Sequence, residues 1–106
     1  MQPSVFTIAV KKIDYATAAA FQDDLLTAVG DGSGRLVIDF AGVETISSIG
    51  LRALVVAAKK ARAGDGRIAV AALAPVVREV FLISRFDAIL PMYDSVAAAT
   101  AALEAA

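Results

Sequence analysis

The sequence predicts a layered α/β domain, on two observations: short apolar runs of strand length alternate with longer segments of helical spacing, and glycine or proline marks most junctions between them. A third observation, the length of 106 residues with no linker long enough to separate one core from another, holds the prediction to one domain. The apolar run Val5 to Val10 reads as the first strand, Leu36 to Phe40 as the second and Ile68 to Leu73 as the third. Between the first two, Ala18, Phe21, Leu25 and Ala28 recur at the spacing of one helix face. Between the second and third, Leu51, Leu54, Val55, Ala58 and Ala61 do the same. Gly30, Gly32 and Gly34 crowd the end of the first helix and Gly64 and Gly66 lie just past the second, where helices commonly close.

Pro75 opens a third helix at a position where its missing N–H costs nothing, and Val76, Val77, Val80 and Phe81 give that helix an apolar stripe. A short extended piece around Ile89 and Leu90 follows. Asp94 or Ser95 then caps a last, alanine-rich helix reaching about Leu103, whose Val96, Ala99 and Leu103 face is thin enough that this helix should fray first. The chain therefore reads β, α, β, α, β, α, short β, α, without an internal repeat. Leu, Ile, Val and Phe must supply the core, because alanine adds helicity more than adhesion.

Composition removes many functions. The hydrophobic fraction is 58%, but 24 of those residues are alanine, and no apolar run approaches the roughly 18 residues of a spanning helix. There is no histidine and no cysteine, so the usual zinc ligand sets, disulfides, catalytic triads and thiol nucleophiles cannot be built; only an all-carboxylate site for a hard metal stays open. A net charge of −1 lacks the basic excess that nucleic-acid binding shows. Lys59, Lys60, Arg62 and Arg67 do cluster, and they read as a solvated face at a helix end where cations suit the macrodipole. The stretch Val5 to Val10 is too short for a secretory signal and Lys11, Lys12 and Asp14 interrupt it, so a soluble, cytoplasmic domain is expected.

The stretch that carries chemistry is Asp39-Phe40-Ala41-Gly42-Val43-Glu44-Thr45-Ile46-Ser47-Ser48-Ile49-Gly50-Leu51-Arg52. A buried strand ends, a turn passes through Gly42, and two serines stand immediately before the second helix. One reading makes a serine an N-cap, its hydroxyl accepting from an orphan backbone N–H, a contact worth about 1 kcal/mol. The other leaves a hydroxyl exposed at the positive end of the helix dipole, where a phosphate adding roughly −2 charge is tolerated. The glycines at 30, 32 and 34 suggest a phosphate loop only superficially. They follow a helix and precede a strand, the reverse of the order that nucleotide motifs require, and read as a flexible turn.

Nearly the whole chain resembles a STAS domain of the anti-sigma-factor antagonist type. The family's pattern, an Asp at a strand end, a turn, then Asp/Ser-Ser-x-Gly-Leu opening a helix, is matched by Asp39, Gly42, Ser47, Ser48, Gly50 and Leu51. An earlier family segment, Gly-x-Leu-Asp-x-x-Thr, is partly matched by Ile13, Asp14 and Thr17, and a late one, leading into an alanine-rich helix, looks like Val76 to Leu103. The chain departs from the pattern at Lys11, where the family usually has glycine, and at Arg85, where a glycine commonly closes the third helix. It also leaves room for only one strand before Asp14 where the family often has two, the edge strand being missing or reduced to Met1 to Ser4.

The resemblance implies one STAS domain over residues 1–106, with a central mixed β-sheet and about four helices. It also implies a non-enzymatic antagonist that binds an anti-sigma factor serine kinase and is switched off when that kinase phosphorylates it, with a serine phosphatase of the PP2C type to reset it. Ser48 takes the phosphoacceptor's place, and Ser47 stands beside it as a cap or polar contact. Gly50 lets the partner come close, and Arg52, pointing away from the core residues Leu51 and Leu54, is a partner contact or a solvated first-turn arginine. Asp14 and Asp39 either shape the polar rim of the partner surface near the serine or cap local backbone N–H groups, the capping role being favoured for Asp14 and more so for Thr17. No catalytic, cofactor or metal residue is assigned, and a monomer is expected. The alternative implied by the same family is an accessory subunit that binds the nucleotide-binding component of an ABC-type lipid transport system.

Overall fold

A computed structural model describes residues 2–31 and 34–105 of the chain. Its elements run β1 (Ser4–Thr7), β2 (Lys12–Ile13), α1 (Ala18–Asp31), β3 (Arg35–Asp39), β4 (Thr45–Ile46), α2 (Ser48–Ala63), β5 (Arg67–Ala71), α3 (Pro75–Ile83), a 3₁₀ turn (Phe86–Ala88), β6 (Met92–Tyr93) and α4 (Val96–Ala105). The main sheet has the order β1-β3-β5-β6. Its register puts Thr7, Asp39, Ala71 and Tyr93 in one row at the C-terminal ends of the strands. Among the described residues every pairing is parallel, not mixed as the resemblance implied, because a helix lies between each pair of neighbours and returns the chain to the same starting edge.

The period-2 alternation of each strand decides what packs where. Leu36, Ile38, Ile68 and Val70 face a large cluster with Phe21 and Leu25 of α1, Leu54, Ala57 and Ala61 of α2, and Val77 and Phe81 of α3. Val37, Ala69 and Ala71 face the other way, onto Ala99 and Leu103 of α4. Among the described residues three helices thus cover one face and one helix the other. The edge-to-face stack of Phe81 on Phe40 (centroids 5.7 Å apart) and on Phe86 (5.6 Å) ties α3 to the sheet. By contrast α4 rests on little more than one buried leucine, worth about 1.5–3 kcal/mol. Ser95 caps it as expected, its Oγ accepting from Ala98 N at 3.0 Å. Among the described residues no helix is long and apolar enough to cross a membrane.

Two short strands escaped the sequence reading. The first strand stops at Thr7, after which Ile8 N still donates to Asp39 O (3.2 Å) and its side chain turns into the core. The chain then makes β2, which pairs in parallel with β4 as a separate two-stranded ladder, Lys12 opposite Thr45 and Ile13 opposite Ile46. Two strands, not one, therefore precede Asp14. A ladder of two residues needs only a neighbouring backbone and leaves no periodicity to read. The extended piece expected at Ile89 and Leu90 lies at Met92–Tyr93, since Ile89 N and Leu90 N are both held by Phe86 O (2.9 and 2.8 Å) in the turn, and Pro91 has no N–H to give a ladder.

Arg85 has the left-handed backbone that its place in the family pattern implies, φ 59° and ψ 29°, at a cost of roughly 1 kcal/mol or more. Lys11 is not among the described non-glycine residues with positive φ, which are Asp65, Ala72 and Arg85, so it needs no glycine. Its carbonyl accepts from Glu44 N at 2.7 Å and Thr45 N at 3.3 Å. Met1 and Gly32 lie outside the described residues.

Candidate functional site

Ser47 has the extended backbone of an N-cap (φ −93°, ψ 172°), and its carbonyl accepts the first helical bond, from Leu51 N at 3.0 Å. Its side chain does not cap. Ser47 Oγ is buried and has no hydrogen-bond partner, so the expected role of a hydroxyl cap gives way to a hydroxyl turned inward. The backbone N–H groups of Ser48, Ile49 and Gly50 are thus left without an intrahelical acceptor or a side-chain cap, and no acidic residue stands in the first turn. The positive end of a 16-residue helix is uncompensated, and Ser48, its first residue, is exposed there.

What holds this helix start in place is the β2–β4 ladder. Ser47 N donates to Ile13 O at 2.8 Å, directly extending the pairing of Ile13 with Ile46. Gly50 then packs onto the same pair: a Cβ there would lie 2.6 Å from Ile13 Cγ2 and 2.9 Å from Ile46 Cγ1. Gly50 is buried, so its missing side chain serves the helix's approach to the ladder rather than room for a partner, a correction to the sequence expectation. Leu51 and Leu54 are core, as read from the spacing. Arg52 is exposed and makes no ion pair among the described residues.

The two acidic candidates are engaged locally. Asp14 Oδ1 accepts from Ala16 N (3.0 Å) and Thr17 N (3.3 Å), while Thr17 Oγ1 accepts from Asp14 N (3.0 Å) and donates to Lys12 O (2.8 Å). This is a reciprocal capping arrangement that leads into α1. Asp39 Oδ1 accepts from Ala41 N at 2.9 Å, the local of its two readings. The structure brings the Asp14 turn beside the start of α2 through Ile13; Asp39 belongs to the turn that closes β3.

Sequence reasoning missed Tyr15. It sits inside the capped turn between Asp14 and Thr17, yet its side chain is 88% exposed. With Ile49 and Arg52 it lines an open groove of about 450 Å³ floored by Ala18 and Ala19, between the starts of α1 and α2. The signal was an aromatic residue flanked by its own capping pair, which fixes the backbone while leaving the ring in solvent. The basic cluster lies at the other end of α2, where Lys60 Nζ donates to Leu26 O at 3.1 Å and joins the two helices. Among the described residues no group of three or more acidic side chains could hold a metal ion.

Comparison with known proteins gives a family and a set of relatives. The STAS domain family model matches residues 3–99. A protein of Bordetella bronchiseptica named as the candidate anti-sigma factor antagonist BtrV is 38% identical over 94 residues, 89% of this chain and 81% of the relative. Among solved structures, an anti-sigma factor antagonist from Mycobacterium paratuberculosis superimposes with a TM-score of 0.83 at 29% identity, covering 94% of this chain and 84% of the other. The anti-sigma factor antagonist SpoIIAA in its unphosphorylated form gives 0.79 at 18% identity over 100% of this chain and 92% of its own, a likeness that speaks for the fold alone.

Proposed function

The chain is a STAS-domain protein of the anti-sigma-factor antagonist family, and from that premise we propose that it is the phosphorylatable antagonist of a partner-switching pathway. Unmodified, it binds an anti-sigma factor that is also a serine kinase, and so frees the sigma factor. Phosphorylated on Ser48, it releases the kinase, and a serine phosphatase of the PP2C type returns it to the binding state. In this reading the protein acts as a cytoplasmic monomer and is the kinase's substrate, not an enzyme. The observation that carries the reading is the contrast within the serine pair: Ser48 is exposed at an uncapped helix start, whereas Ser47 Oγ beside it is buried.

In the modification, Ser48 Oγ bonds to the γ-phosphorus of ATP as the bond to the ADP oxygen breaks, and the hydroxyl proton passes to a base on the kinase. This chain supplies the nucleophilic oxygen alone. The product dianion sits where three N–H groups and the helix dipole favour it, a contribution of about 0.3–1 kcal/mol at an exposed site. No refolding is needed for the switch, because a dianion that solvent tolerates is costly to desolvate inside a partner interface.

A pull-down from native cell lysate, read by mass spectrometry with wild type, Ser48→Ala and Ser48→Asp as baits, tests the reading. Wild type and the alanine variant should recover a small serine kinase, and the aspartate variant should lose it at least about tenfold, the equivalent of 1.4 kcal/mol. Recovery of the same ABC transport subunits by all three baits would replace the switch with the accessory-subunit role.

A further inference from the structure

Arg52 lies on α2 four residues after Ser48, and side chains in that relation meet on one face of a helix, with Cβ atoms about 6 Å apart. Both residues are exposed. Arg52 has no ion-pair partner among the described residues; Asp23, which lines the same groove, is not bound to it, and neither is Asp14, whose Oδ1 accepts from Ala16 N and Thr17 N. The order of the pair is the favourable one, since an anion placed N-terminal to a cation on a helix agrees with the dipole as well as with its partner. A free guanidinium therefore stands one turn from the proposed phosphoacceptor, with nothing acidic between them.

We propose that Arg52 is the built-in receptor for the phosphate, an inference that rests on reading Ser48 as the phosphoacceptor. Once Ser48 is phosphorylated, the guanidinium closes on the dianion through charge-assisted hydrogen bonds from the C-terminal side, while the orphan N–H groups at the start of α2 face it from the helix end. The consequence reaches beyond Ser48. Arg52 lines the groove with Tyr15 and Ile49, so its movement onto the phosphate withdraws a positive charge from that groove. One modification thereby changes the surface at two points: Ser48 gains about two negative charges, and the groove loses its cation. Arg52 acts here as a positioning residue for the phosphate and takes no part in its transfer.

The test needs no kinase. Protein carrying phosphate on Ser48 is produced by incorporating phosphoserine during translation, in three backgrounds: wild type, Arg52→Gln and Arg52→Lys. The ³¹P resonance is then followed against pH through the second ionisation of the phosphate, near 6. The helix end is common to all three, so any difference between them reports Arg52. The wild-type midpoint should lie about 0.3 unit below that of Arg52→Gln, with Arg52→Lys in between. The gap should shrink in 1 M salt, where the screening length falls to about 3 Å. Equal midpoints in wild type and Arg52→Gln overturn the clamp, and unchanged circular dichroism of the variants ensures that the comparison is between folded proteins. The two ideas fail separately: a chain that no serine kinase modifies removes Ser48 as the switch, whereas equal midpoints remove Arg52 alone.

Discussion

The two ends of α2 answer their backbone groups in opposite ways. At the C-terminal end Gly64 N and Gly66 N both donate to Ala61 O, at 3.1 and 2.6 Å, Asp65 N donates to Arg62 O at 3.1 Å, and Lys60 reaches across to Leu26 O of α1. Cations stand in the last turn, where the dipole favours them. At the N-terminal end the first three N–H groups have no cap, Ser47 Oγ has no partner and no carboxylate neutralises the dipole. Both ends are nonetheless held by equally tight packing, Gly66 against Gly34 O and Gly50 against Ile13 and Ile46. The difference teaches that the same helix satisfies its backbone groups internally at one end and leaves them open at the other, the end where the proposed phosphorylation would place a charge.

The largest effects come from breaking the packing at each end. A Cβ on Gly66 would lie 2.5 Å from Gly34 O and 3.0 Å from Ala61 O, backbone atoms that cannot rotate away. Gly66→Ala should therefore cost about 3 kcal/mol, read as a lowered midpoint in urea unfolding. Gly50→Ala meets only side-chain carbons of Ile13 and Ile46, and alanine regains about 1 kcal/mol of helix propensity. A net loss of about 1 kcal/mol is expected, and with it weaker binding of the proposed kinase partner, because the helix start must move.

Two smaller changes sharpen the contrast in hydrogen bonding. Lys60→Met keeps the aliphatic stem but removes the bond to Leu26 O, an exposed contact, and should cost about 0.5 kcal/mol by the same unfolding measurement. Ser47→Ala removes a buried hydroxyl that has no partner, so stability should stay within about 0.5 kcal/mol of wild type or rise slightly. A loss of about 1 kcal/mol or more in that variant would mean that Ser47 is a working cap, and the proposed difference between the helix ends would disappear.

Much of this was legible in the sequence because the signals are periodic or chemical. The helical spacings, Pro75 at the start of α3 and the Ser95 cap follow from residue type and position, whereas the left-handed backbone at Arg85 was legible only through the glycine that the family pattern has there. The two-residue strands β2 and β4 did not, since pairing of that length is set by the neighbouring backbone rather than by a pattern. They matter most for the site, because they lock the Tyr15 turn to the start of α2. The orientation of Gly50 was equally hidden: a glycine has no side chain whose polarity would tell which way it faces. For Ser47 the extended backbone of a cap was predictable, but the inward rotation of its hydroxyl is a matter of tertiary packing that no sequence pattern records.

The measurement that tests the central claim most directly is site mapping by tandem mass spectrometry, on protein isolated from its native cells with phosphatases inhibited. The contrast between the exposed hydroxyl and the buried one predicts phosphate on Ser48 and none on Ser47. Phosphate on Ser47, or on neither serine in protein recovered both bound to and free of its partner, would contradict it.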